Sequence, residues 1–217
     1  TSCGGVTIPS SAMALVGNAT TVSPAALGYL TLFPANASRP LIASGNYDPS
    51  ETLNSQFVVG LSPTGQFKLF TTATTDMVID VLGYYSTEPM DVNGLGLLFS
   101  PLTPTRLLET RAGFSGCFTP GAALVGGVEA SQLARGTCTI PATAQAVVGN
   151  ATVVQPPADG FLTFWPSNVA RPLIATSNYL AGQIFNRHFT VALGTDGAFK
   201  MYPSSGTDLV IDVAGYF

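Results

Sequence analysis

The chain has 217 residues, enough for one large or two ordinary domains with a real hydrophobic core. Apolar residues make up 46% of it and charged residues only 9%, which excludes intrinsic disorder, because a disordered chain is poor in apolar residues and rich in charge. Eight Lys and Arg stand against twelve Asp and Glu, with no basic run to track phosphates and no apolar run near the roughly 18 residues of a membrane helix, so neither nucleic-acid binding nor a helical membrane span is expected.

The chain opens at Thr1 with neither Met nor a signal peptide, and reads as a mature or trimmed product. Twenty-three Gly and 16 Pro, among many Thr, Ser, Val and Ala, favour strands and turns over helices. So sparsely charged a surface is expected where another molecule covers part of it.

From Thr7 onward the chain repeats itself. Thr7-Ile8-Pro9 matches Thr139-Ile140-Pro141, and the match runs without a gap to Tyr85 and Phe217, with about half of the aligned positions identical. The strongest blocks pair Val16-Gly17-Asn18-Ala19-Thr20 with 148–152 and Arg39-Pro40-Leu41-Ile42-Ala43 with 171–175. Each copy closes on Val-Ile-Asp-Val, at 78–81 and 210–213, followed by Gly-Tyr. Residues 1–86 are read as the first repeat and 87–217 as the second. Of the second, 87–138 is an opening segment with no counterpart before Thr7, and 139–217 matches the first copy. The first repeat therefore lacks opening strands, which would come from this same segment, from residues outside the chain or from a neighbouring molecule.

In the second copy, the β-branched run Ala146 to Val154 ends at Pro156-Pro157 and reads as a strand. Phe161 to Trp165, between Gly160 and Pro166, reads as another. Phe189 to Leu193 and Phe199 to Tyr202 flank Gly194-Thr195-Asp196-Gly197, a hairpin whose Asp-Gly supplies the positive φ the turn needs. Leu209 to Val213 is the terminal strand. With 172–179 included, each repeat holds six or seven short strands and no helix. The fold class is all-β: two homologous antiparallel β-sandwich modules in tandem, jelly-roll or Ig-like.

The set of motifs, Asn-Ala-Thr, Gly-Tyr/Phe-Leu-Thr, Arg-Pro, Asn-Tyr and a closing Asp-Val-x-Gly-Tyr-Phe, resembles a tandem repeat module of secreted and surface proteins from bacteria such as actinobacteria and acidobacteria. The stretch Pro104-Thr105-Arg106-Leu107-Leu108-Glu109-Thr110-Arg111 is similar to the opening of such a module, with Glu109 where Asp is usual. The resemblance covers nearly the whole chain. It implies an extracellular β-module in tandem arrays, carries no catalytic residues, and assigns the segment from about Leu98 to the second module.

Cys117 and Cys138 are expected to form a disulfide in an extracellular protein. Cys3 is left over, and either bridges to another chain or has lost its partner to trimming. No enzyme and no cofactor or metal is expected. His188 is the single histidine and stands where the first repeat has Gln56, and no Gly-x-Ser-x-Gly elbow occurs. Asp76 and Asp80, like Asp208 and Asp212, lie four apart on one strand face. They would suit a glycosidase or calcium, but are read as structural polar pairs in which Asp80 and Asp212 serve Arg39 and Arg171 or backbone groups at a strand end. Trp165, Tyr179 and Tyr202 are read as core residues, or alternatively as a sugar-stacking platform.

The functional expectation is a non-enzymatic structural subunit of an extracellular, cell-surface fibre. It would assemble head-to-tail with copies of itself by strand addition at the incomplete first module. The alternative is a carbohydrate-binding or adhesin module for cell-wall or other polysaccharide.

Overall fold

The computed structural model describes residues 2–3, 6–86, 96–114, 116–117 and 119–217. The chain divides into two compact units, Thr1–Leu97 and Leu98–Phe217. The first holds β1 (Ser2–Cys3), β2 (Val6–Thr7), β3 (Ala12–Val22), β4 (Gly28–Pro34), β5 (Gly45–Tyr47), β6 (Thr52–Gly60), β7 (Phe67–Thr71) and β8 (Asp76–Ser86). The second holds β9 (Ser100–Glu109), β10 (Thr119–Pro120), β11 (Ala130–Leu133), β12 (Ala146–Val154), β13 (Gly160–Pro166), β14 (Ser177–Tyr179), β15 (Ile184–Ala192), β16 (Ala198–Pro203) and β17 (Asp208–Tyr216). The fold is all-β, as the punctuation by Gly and Pro predicts.

Each unit is a two-layer sandwich. In the second, one sheet runs β10-β9-β17-β12-β15 and the other β11-β16-β13-β14; pairing is antiparallel except for the short parallel β10 against β9. Alternating residues of both sheets meet in one core. Leu107, Val147, Val153, Phe189, Leu209 and Ile211 come from the first layer, and Leu162, Phe164, Tyr179, Phe199 and Met201 from the second. Phe164 meets Phe189 and Phe199 edge-on, with ring centroids 5.1 and 5.6 Å apart, the arrangement aromatic quadrupoles favour. The first unit's sheets are β6-β3-β8 and β5-β4-β7, around Leu15, Leu30, Leu32, Tyr47, Phe57 and Val59. A further two-stranded pair joins β1 and β2.

The repeat in sequence is a repeat in space. Asn18 pairs with Gln56 and Asp80, and Asn150 pairs with His188 and Asp212, in the same registers. Even a rare backbone conformation recurs: Ser23 and Gln155, both before a proline, have φ 45°. The turn at Gly194–Gly197 forms, with Gly197 at φ 80° and the Gly194 N–H donating to the Ala198 carbonyl, but it corrects the expected hairpin: β15 pairs with β12 and β16 with β11 and β13, so the turn carries the chain from one layer to the other. The strand preceding it starts earlier than the sequence reading placed it, at Ile184 instead of Phe189.

Both central strands carry a bulge at a glycine, after Val16 and after Val148. An added Cβ would sit 2.2 Å from the Asp80 carbonyl oxygen at Gly17, and 2.1 Å from that of Asp212 at Gly149. No side chain can flex to relieve a backbone contact, so β12 and β17 would have to separate. Gly149→Ala is expected to destabilise the second unit by about 3 kcal/mol, read as a lowered urea midpoint; an unchanged midpoint would show that the bulge can open.

Candidate functional site

Cys117 and Cys138 form a disulfide with Cα atoms 5.3 Å apart, tying the opening segment across 21 residues. A loop of that length contributes about 3 kcal/mol by restricting the unfolded chain. Cys3 lies in β1, but its side chain, and with it the expected bridge to another molecule, falls outside the described residues.

The opening segment is built into the second unit on both layers. β9 adds to β17 and β11 adds to β16, so one side of the sandwich is closed by residues that the first unit does not have. The joint is polar at its centre. Arg106 forks onto Asp212, its Nε donating to Oδ1 at 2.9 Å and its Nη2 to Oδ2 at 3.3 Å. Its Nη1 donates to Glu109 Oε2 at 2.9 Å, and Arg111 donates to both Glu109 oxygens at 2.7 Å from Nε and Nη2. The Glu109 side chain is fully buried, and the Arg111 hydrogen bonds hold its carboxyl below the usual carboxylate range against the opposing cost of burial. Hydrogen bonding to Asp212 raises the pKa of Arg106 further. Thr110 Oγ1 donates to Asp208 Oδ1 at 2.7 Å and accepts from the Leu209 N–H at 2.8 Å. The two recurring aspartates of the second repeat therefore hold the opening segment in place.

This corrects the expected arginine partners. Arg171 follows β13 and lays its guanidinium 3.6 Å over the Tyr202 ring, and Arg39 follows β4 and lies 3.8 Å over Phe70. Both arginines belong to the layer opposite the one carrying Asp80 and Asp212, so neither Arg39–Asp80 nor Arg171–Asp212 is the pair. Arg106 was legible as part of the opening motif, but it has no counterpart in the first repeat, so a search for recurring charges passes over it.

The aromatic platform is corrected as well. Trp165 is 2% exposed, with its indole N–H donating to the Val169 carbonyl at 3.2 Å. Tyr179 is 1% exposed, with its hydroxyl donating to the Ser205 carbonyl at 2.7 Å. Neither offers a ring face to a sugar. Tyr202 is half-buried between Phe161 and the Arg171 guanidinium. His188 is exposed on β15. Among the described residues no three His, Cys, Asp or Glu gather as a metal site.

Where the second unit has its opening segment, the first presents edges. No described strand pairs with the outer edge of β8 or of β7. Val78, Val81 and Leu69 are 48%, 43% and 36% exposed, while their counterparts Val210, Val213 and Met201 are 3%, 0% and 2% exposed. The difference falls on the same side of both layers. No helix among the described residues is long and apolar enough to cross a membrane. Compared with protein-family models and with curated proteins, the sequence matches none.

Proposed function

We propose that the protein is a non-enzymatic structural subunit of an extracellular bacterial surface fibre, joined head-to-tail to neighbouring copies by strand addition at the open side of the first unit. One observation carries this reading: two homologous sandwiches, one closed on both layers by strands of the opening segment and the other with no described strand on the same two edges. A bare edge offers a ladder of backbone donors and acceptors, and apolar side chains beside it add a reason to be covered. The disulfide suits an oxidising compartment. The recurring aspartates of the second unit face an arginine and a threonine of their own chain, a structural arrangement with no need of catalysis. A polysaccharide-binding reading loses its platform once Trp165 and Tyr179 are in the core.

Light scattering across a concentration series, followed by electron microscopy, tests this. Mass is expected to grow with concentration and to collapse to that of one chain in Val81→Arg, which places a charge on the open edge. Wild type that stays monomeric at high concentration would overturn the reading.

A further inference from the structure

The second unit shows what fits the first. β9 and β11 close it on both layers, and every position of β17 and β16 that they pair with has a counterpart in the ungapped repeat. β17 presents Val210, Ile211, Asp212, Val213 and Gly215 to Glu109, Leu108, Arg106, Thr105 and Pro101. Counting back through the ungapped repeat, β8 presents Val78, Ile79, Asp80, Val81 and Gly83. Asp76 likewise stands where Asp208 receives Thr110. The identical side chains are kept at all five β8 positions and at Asp76, including two carboxylates whose partners in the second unit belong to the opening segment. Asp80 has interactions of its own; its place in the register is what marks it as an acceptor.

We infer that the outer edge of β8 is an acceptor for an extended segment of a second polypeptide carrying the chemistry of β9: Pro-x-Arg-Leu-Leu-Glu-x-Arg, added antiparallel, its first arginine on Asp80 and its second leucine opposite Ile79. The glutamate travels with its own two arginines, so the segment brings a compensated charge and asks only Asp80 to complete the network, as Asp212 does for Arg106. The inference rests on reading this side of the first unit as the assembly surface, and it specifies what the neighbour must bring. These 217 residues hold two sandwiches and one opening segment, whose Leu107, Leu108 and Glu109 are already buried in the second unit. A further copy can lend that segment only by releasing it from its own second unit, so a free segment of this pattern competes with neighbouring copies for the edge of β8.

The test uses the full chain and a labelled synthetic peptide of residues 98–111, with fluorescence anisotropy for affinity and amide hydrogen exchange for location. Saturable binding of one peptide per chain is expected, with exchange slowed along β8 and unchanged along β17. Asp80→Arg is expected to weaken binding at least tenfold, and the peptide carrying Arg106→Asp to recover most of that loss. Absence of binding, binding without β8 protection, or faster exchange at β17 from displacement of the resident strand would each overturn the inference. Light scattering of the chain without peptide separates the two readings. Assembly of the chain alone, with no peptide binding, sinks the β9-type donor and leaves the fibre reading standing. A chain that stays monomeric and binds the peptide does the reverse for assembly from copies alone.

Discussion

Glu109→Gln is expected to destabilise the second unit by about 3 kcal/mol at neutral pH and to leave the first unit's stability where it was. The buried carboxylate accepts from Arg106 Nη1, from Arg111 Nε and Nη2, and from the Arg111 backbone N–H. A neutral amide keeps one acceptor and turns an NH2 group toward two guanidiniums. Removing one partner of a fully buried ion pair costs about 3–5 kcal/mol. Here both arginine side chains are about one-third exposed, so water takes up part of their unmet charge and the cost falls at the low end. The sign with pH follows from the depressed carboxyl. Its contribution is fully present above the ordinary value of an unfolded glutamate, roughly 4.3, and is lost as pH falls through the lower folded value. The gap between wild type and variant should therefore be widest near pH 7 and shrink steadily below about pH 4. Amide exchange along β12 and β17, compared with β3 and β8 in the same sample, reads each unit separately. An equal gap at pH 7 and pH 3, or an effect shared by both units, would show that the network does not act as drawn.

The frame of each sandwich could be read from the sequence because duplication doubled the signal. Two copies with turns at the same places leave little freedom in where strands begin and end, and turn chemistry locates the reversal at Asp196-Gly197 without telling a hairpin from the crossing between layers that it makes. The start of β15 at Ile184 was missed because 184–188 mixes Phe185 and Arg187 on one face with Asn186 and His188 on the other, which blurs the alternation. The opening segment was expected to carry strands but β9 had no bounds in the sequence; its Pro101 and Pro104 are accommodated where its register with β17 is irregular. The polar joint was hidden for a different reason. Recurrence in both repeats suggested that Arg39 and Arg171 serve Asp80 and Asp212, whereas the true partner, Arg106, belongs to the part that is not repeated. Periodicity reports which face a residue occupies; it does not report which strand lies alongside.

One substitution made at the same place in both repeats isolates the effect of the opening segment. Val213→Arg is expected to cost more than about 4 kcal/mol, because it forces a guanidinium into a fully buried core position of β17 with no acceptor prepared for it. That is a large share of the roughly 5–15 kcal/mol that holds an ordinary domain together, so the second unit should be largely unfolded or proteolysed at 37 °C. Val81→Arg changes the same residue type in the same frame, yet there the side chain already meets solvent and a long cationic stem can lie along the edge. Its cost should stay within about 0.5 kcal/mol. The two strands have the same residue at most of their positions and the same bulged pairing with the central strand; what differs is whether β9 is in place. Limited proteolysis with mass spectrometry distinguishes the units directly. If Val81→Arg unfolds the first unit as thoroughly as Val213→Arg unfolds the second, Val81 is buried in solution and the edge of β8 is not bare. If instead only the second unit is lost, the folded Val81→Arg chain becomes the right material for the assembly and peptide experiments, since a charge on a stable, bare edge can only block what would have docked there.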